Sequence, residues 1–220
     1  MMNSYKKIGT DFFEIDHSPD TFKKTIHNII KKYHKQIITN TENTQIKMDN
    51  FDNPHHFIYK IFYTSEKIKE MEYYHNVARI LSSNVGRLFD EIIKFSITII
   101  EGGRSTYIVN PTGKPKKFEI DILNENKKIA YEIKWRDAGT DGDHKNKEFT
   151  KVDLIKQMGY KPIRLTFYLP ELAQSLLAQK NIINYYKTHG EAYTGEEAFD
   201  YINKMANIDL IKIISEYEFL

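Results

Sequence analysis

Two neighbouring segments, residues 117–123 and 128–136, constrain the fold more than anything else in the chain. Both alternate apolar with polar or charged residues, which is the period of a β-strand and not of a helix. In the first, Phe118, Ile120 and Ile122 fall on one face and Glu119, Asp121 and Leu123 on the other. In the second, Ile129, Tyr131, Ile133 and Trp135 share a face, and Ala130, Glu132, Lys134 and Arg136 share the other. Asn124, Glu125, Asn126 and Lys127 lie between them as a polar turn of even length. A hairpin closed this way sets the two apolar faces together, whereas an odd loop would oppose apolar residues to carboxylates. The resulting register places Glu119 opposite Glu132 and Asp121 diagonal to Glu132.

Three carboxylates on one sheet face repel one another. Lys134 and Arg136 offset part of that repulsion, and a divalent cation would offset more. Hard oxygen donors without His or Cys suit Mg²⁺, with Mn²⁺ as a substitute. Such an ion stabilises charge on a transferring phosphoryl group and activates water. Lys134, two residues beyond Glu132, points the same way and is suited to hold that water or to stabilise the developing charge. A solvated antiparallel sheet face carries the same alternation, so the flanking elements decide between the two readings.

Those elements follow a definite order. Val85, Leu88, Phe89, Ile92, Ile93 and Ile99 form the apolar stripe of a helix over about 83–98, with Arg87, Asp90, Glu91 and Lys94 on its polar side. Gly102-Gly103 ends it, and residues 105–109 form a short strand. Pro111, Gly113 and Pro115 make a turn-rich link into the hairpin. A polar loop, a helix over 144–158 stopped by Gly159, and a strand over 162–169 with Ile163, Leu165 and Phe167 alternating complete an α-β-β-β-α-β order. Upstream, Ser18-Pro19-Asp20 starts a helix carrying Phe22, Ile26, Ile29, Ile30, Tyr33 and Ile37 on one face. Its lysines, among them Lys23 and Lys31, form either a solvated face or a phosphate contact. Residues 39–53 read as a polar loop and 54–74 as helical, and the adjacent His55 and His56 do not share a helix face. The C-terminal part reads as helical, with Thr194-Gly195-Glu196-Glu197 as a capping box. The expectation is one α/β domain over 1–220: a helical region over 1–82, a catalytic core over 83–169 with a mixed sheet, and a helical region over 170–220.

Composition narrows the chemistry. The chain has no cysteine, which excludes disulfides, thiolate zinc sites and cysteine nucleophiles together. Its net charge of +2 does not declare a polyanionic partner, so local basic clusters matter more than the sum. Gly102-Gly103-Arg104-Ser105 lacks the spacing and the lysine of a phosphate loop. Residues 1–8 are polar and no apolar run approaches the roughly 20 residues of a membrane span. The expectation is a soluble protein with no membrane contact.

With Glu119-Ile120-Asp121 followed by Glu132-Ile133-Lys134 inside this element order, the chain resembles the PD-(D/E)xK nuclease superfamily, Ile120 standing where the motif usually has Pro. The stretch from Ala130 through Asp137, followed by Thr140-Asp141-Gly142-Asp143-His144 and Lys147-Glu148, is similar to the ApaLI-like type II restriction endonucleases. The resemblance implies a restriction-endonuclease-like fold and Mg²⁺-dependent, sequence-specific hydrolysis of double-stranded DNA that leaves 5′-phosphates. It implies Asp121 and Glu132 as metal ligands, the Ile133 carbonyl as a third, and Lys134 on the attacking water. Glu91 in the preceding helix, with Asp90 beside it, and Glu119 are further candidate ligands. Arg104, Arg136, His144, Lys145 and Lys147 are candidates for DNA contact. A homodimer, a cognate DNA methyltransferase in the same system, and the cytoplasm of a prokaryote complete the expectation. Alternative readings are a repair or junction-resolving nuclease of the same fold and a DNA-binding protein that no longer cuts. The span from Asp137 to Glu148 approximates a calcium loop, but Gly139 and His144 occupy its critical positions and a strand precedes it.

Overall fold

The computed structural model describes residues 6–8, 11–13, 18–49, 59–111, 113–136 and 142–218. A short antiparallel hairpin, β1 (Lys6–Ile8) and β2 (Asp11–Phe13), precedes the helices. Helix α1 (Pro19–Asp49) begins where expected, with the Ser18 hydroxyl accepting from the Thr21 N–H at 3.3 Å. It then continues through residues 39–49, where a loop was expected. Those residues are polar but include neither Gly nor Pro, so nothing breaks the helix.

The expected helices over 54–74 and 83–98 also merge, into α2 (Ser65–Glu101); residues 50–58, with His55 and His56, lie outside the described residues. Thr64 caps its start, accepting from the Lys67 N–H at 3.3 Å. Gly102 and Gly103 end it with φ of 83° and 102°, a backbone region that favours glycine. A Cβ at Gly103 would lie 2.9 Å from the Leu123 carbonyl oxygen, so the chain also needs the close approach there.

Five strands form the main sheet in the order β3-β4-β5-β6-β7. Strand β4 (Lys117–Asn124) runs antiparallel to both β3 (Arg104–Val109) and β5 (Ile129–Arg136). Strand β6 (Lys161–Tyr168) lies parallel to β5 after a crossover through α3 (Gly142–Gln157). Strand β7 (Glu191–Thr194) lies parallel to β6 after α4 (Ala173–His189). Helices α5 (Glu196–Ala206) and α6 (Leu210–Ser215) close the described chain.

The sheet is covered on both faces. On one side, Phe22, Ile26 and Tyr33 of α1, Phe89, Ile92 and Ile93 of α2, Ile202 of α5 and Leu210 of α6 pack on Ile122, Tyr131, Ile133, Ile163, Leu165 and Phe167. On the other, Ile155 of α3 packs with Ile120 and Ala130, and Val152 packs with Ile182 and Tyr186 of α4. This is the mixed α/β architecture of the restriction-endonuclease-like fold. The C-terminal region departs from the all-helical expectation, because residues 191–194 form a strand that fills the sheet edge beside β6. Thr194 therefore does not cap α5; Gly195 stands at the cap with φ of 56° and no side-chain bond.

Candidate active site

Strand period two fails at the residue that matters most. Thr106 pairs with Ile120 and Arg104 with Leu123, so β4 carries one residue more than β3 over the same span. Asp121 and Ile122 together oppose Ser105, which is a β-bulge. The bulge reverses the alternation. Phe118 and Ile120 pack with Leu123 and Ala130 on the α3 side, while Ile122 packs with Tyr131 and Ile133 on the α2 side. The expected common face of Phe118, Ile120 and Ile122 is thereby corrected.

The hairpin register is also shifted. Ile122 pairs with Tyr131 and Asn124 with Ile129, two positions away from the register that set Glu119 opposite Glu132. The turn comprises residues 125–128, with Lys128 at φ 56°. The described ladder between β4 and β5 stops at Ile122 and Tyr131. Beyond it the Asp121 side chain substitutes for the missing strand partner, its Oδ2 accepting the Ile133 N–H at 2.8 Å. The bulge thus aims Asp121 at the opening between the two strands.

A cleft of about 720 Å³ lies at this opening, lined by Asp121, Lys134 and Arg136, by Glu119, and by Asp90 and Lys94 of α2. Lys94 Nζ sits 2.9 Å from Asp121 Oδ1 and 2.9 Å from Asp90 Oδ2. Trp135 fixes the end of β5 against α2, its ring centroid 4.3 Å from that of Phe89. A larger recess of about 840 Å³ lies at the other end of α2, beside Glu101 and Tyr201. Of its carboxylates Glu101, Glu197 and Asp200, Glu101 is bound by Tyr131 and by Lys127, and neither Asp121 nor Glu132 lines it.

Glu132 does not line the cleft; it is buried and paired toward α3. Lys134 Nζ holds its Oε1 at 2.7 Å, and Lys151 of α3 holds its Oε2. Arg164 lies beside it on β6 in the parallel register and is fully buried. That guanidinium donates to Glu148 Oε2 at 2.9 Å, Gln179 Oε1 at 3.2 Å and Thr166 Oγ1 at 3.2 Å. Tyr186 donates to the same Glu148 oxygen at 3.3 Å.

These surroundings set the charges. Burial raises the Asp121 carboxyl, and the Glu132 charge raises it further; Lys134, Lys94 and the Ile133 N–H oppose the shift. Burial pushes Glu132 upward too, but Lys134, Lys151 and Arg164 outweigh it and hold the carboxyl below its ordinary range. The Glu132 charge raises the Lys134 ammonium, so that side chain stays protonated at neutral pH. Asp121 is left in a place where a further positive charge is favourable.

The other sequence candidates divide. Glu91 is turned away from the cleft: it accepts from Lys32 at 2.8 Å and from the Tyr33 hydroxyl at 2.8 Å, both on α1. Its neighbour Asp90 takes the place in the cleft. Glu119 lines the cleft but is exposed, accepting from the Ser105 hydroxyl at 3.4 Å. Arg136 stands exposed at the cleft. His144, Lys145 and Lys147 lie on the first turns of α3, after residues 137–141, which are outside the described set; Lys147 pairs with Asp143. Arg104 is not brought to the cleft. It pairs with Glu125 at 3.1 Å, at the turn end of the hairpin.

Among the described residues no three His, Cys, Asp or Glu side chains form a ready metal cage. The donors available are Asp121, Glu132 and Asp90, with the Ile133 carbonyl, which leaves its strand on the same side as the N–H that Asp121 accepts. Few carboxylates, all hard oxygen, fit an ion that keeps waters and takes substrate phosphates as ligands, as Mg²⁺ does. Lys94, Lys151, Arg164 and Glu148 were not singled out as site residues from the sequence. The available signal was Arg164 itself, a charged residue inside a strand covered by helices on both faces.

No curated protein and no solved structure matches the chain. A family profile, ApaLI-like restriction endonuclease, matches residues 9–218. None of the described helices is long and apolar enough to cross a membrane. A match over nearly the whole length, which spans the bulged strand, the charged hairpin and the helices around them, places the chain in the ApaLI-like restriction endonuclease family.

Proposed function

We propose that this chain is a type II restriction endonuclease that hydrolyses phosphodiester bonds at a specific sequence in double-stranded DNA, with Mg²⁺ as cofactor and 5′-phosphates on the products. The observation that carries the reading is the bulge, which turns Asp121 into the opening of the hairpin, where the charges of the Glu132–Lys134 pair act on it. Asp121 and Glu132 hold the ion together with the Ile133 carbonyl. Bound there, Mg²⁺ would supply polarisation of the phosphate and a lowered pKa for water, with Mn²⁺ as a substitute. Lys134, protonated and anchored on Glu132, orients the attacking water and stabilises the charge that develops on phosphate. Asp90, and not Glu91, is the helix carboxylate that joins them. Arg136 and the basic first turns of α3 contact DNA, some on phosphate and some on base edges.

A palindromic site calls for a two-fold dimer with one centre per strand. Exposed Ile61, Phe62, Met71 and Tyr74 near the start of α2 supply apolar surface for it. A DNA methyltransferase of the same specificity would protect the host.

Incubation with plasmid DNA and Mg²⁺ tests the reading. Discrete fragments that disappear with EDTA are expected. A smear, or cutting of branched DNA alone, would point instead to a repair or junction-resolving nuclease. Absence of any product would leave a DNA-binding protein.

A further inference from the structure

Asp121 spends its two oxygens differently. Oδ2 is committed to the Ile133 N–H at 2.8 Å, which leaves Oδ1 as the oxygen that faces a ligand. Oδ1 is the atom that Lys94 holds at 2.9 Å, and the same ammonium reaches Asp90 Oδ2 at 2.9 Å. Burial disfavours a charged Lys94, yet Asp121 and Asp90 together keep it protonated. Its side chain is 26% exposed on the cleft wall, unlike Lys151, which is 8% exposed beneath Glu132. Lys94 therefore bridges two carboxylates, one of them a proposed metal ligand, and it does so on a flexible stem with access to solvent.

We propose that Lys94 is a resident counter-ion of the Asp90–Asp121 pair, displaced when a divalent cation binds, and that its released ammonium turns to a phosphate of the bound DNA. This rests on the metal reading of the site given above. One carboxylate oxygen does not serve an ammonium and a metal ion at full strength together. Whatever Lys94 contributes to the metal-free protein is therefore subtracted from metal affinity. A DNA phosphate offers the displaced ammonium a new partner and restores that loss. Metal and DNA then bind with positive coupling, each raising the affinity of the other by the same factor.

Mn²⁺ binding without DNA, followed by electron paramagnetic resonance, tests the displacement. Lys94→Met should bind Mn²⁺ about tenfold more tightly than wild type, the scale of one partly screened ion pair. Equal affinity, with binding abolished in Asp121→Asn, would overturn the counter-ion role and leave the metal site standing. Unchanged binding in Asp121→Asn would overturn the metal site and the proposal with it. Lysine acetylation of the unmutated protein, read by mass spectrometry, gives a measure independent of variant folding. Labelling of Lys94 should rise several-fold when Mn²⁺ is added, and constant labelling would refute displacement. For the phosphate contact, Lys94→Met should lower the salt dependence of duplex binding in Ca²⁺ by about one unit of slope. An unchanged slope would refute that contact.

Discussion

The two sides of the main sheet carry the same kinds of charge and arrange them in opposite ways. On the α3 side, Glu132, Lys151, Arg164 and Glu148 are all buried, and three protein groups other than its own strand hold the Arg164 guanidinium in place. On the α2 side, Asp121 and Asp90 line an open cleft and both pair with the Lys94 ammonium. In the first arrangement Arg164 and Glu148 cannot exchange a partner without leaving a charge stranded in low dielectric, whereas Glu132 keeps as one partner Lys134, which lines the cleft. The second can, because water reaches it. The α3 side therefore fixes geometry, and the α2 side is where ligands come and go. Asp121 and Glu132, in contact electrostatically through the strand opening, join the two.

Substitutions on each side should fail differently. The largest effect is expected for Arg164→Met, which strands Glu148 and removes a charge beside Glu132; stability in urea should fall by about 3–5 kcal/mol. A loss below about 1 kcal/mol, the scale of an exposed pair, would erase the contrast between the two sides. Next, Lys134→Ala should slow DNA cleavage roughly 10²–10³-fold with duplex binding retained in Ca²⁺. Cleavage at the wild-type rate would remove Lys134 from the chemistry. A smaller effect separates two adjacent carboxylates: Asp90→Asn should slow cleavage about tenfold, and Glu91→Gln by less than about twofold. The reverse order would mean that α2 presents its other face to the metal. The smallest is the stability change in Glu91→Gln, no more than about 1 kcal/mol, since its partner Lys32 is 59% exposed.

The sequence made some of this legible and left other parts hidden for identifiable reasons. The hairpin, the crossover helix and strand β6 were readable because alternation and Gly or Pro breaks are local signals. The bulge at Asp121 and Ile122 was not, because it is defined by pairing with Ser105 on another strand. Period two therefore put Glu119 on the face of Glu132. The choice between Asp90 and Glu91 was equally closed to local reading: both are polar positions on one helix, and only the partners Lys32 and Tyr33, far away in sequence, turn Glu91 aside. Helix α1 ran past its expected end because polarity alone does not stop a helix. Strand β7 was missed because four residues between two helices carry too little pattern, and its existence depends on the free edge of β6.

The charge on the bulged aspartate, Asp121, is the centre of the proposed chemistry. Asp121→Asn keeps the shape of the side chain and an oxygen for the Ile133 N–H, and removes the charge that would hold a cation. Cleavage of plasmid DNA in Mg²⁺ by this variant, set against wild type, measures that charge directly. A loss of about 10³-fold or more in rate is expected, with duplex binding intact. Cleavage within about tenfold of wild type would show that the metal-dependent chemistry is centred elsewhere.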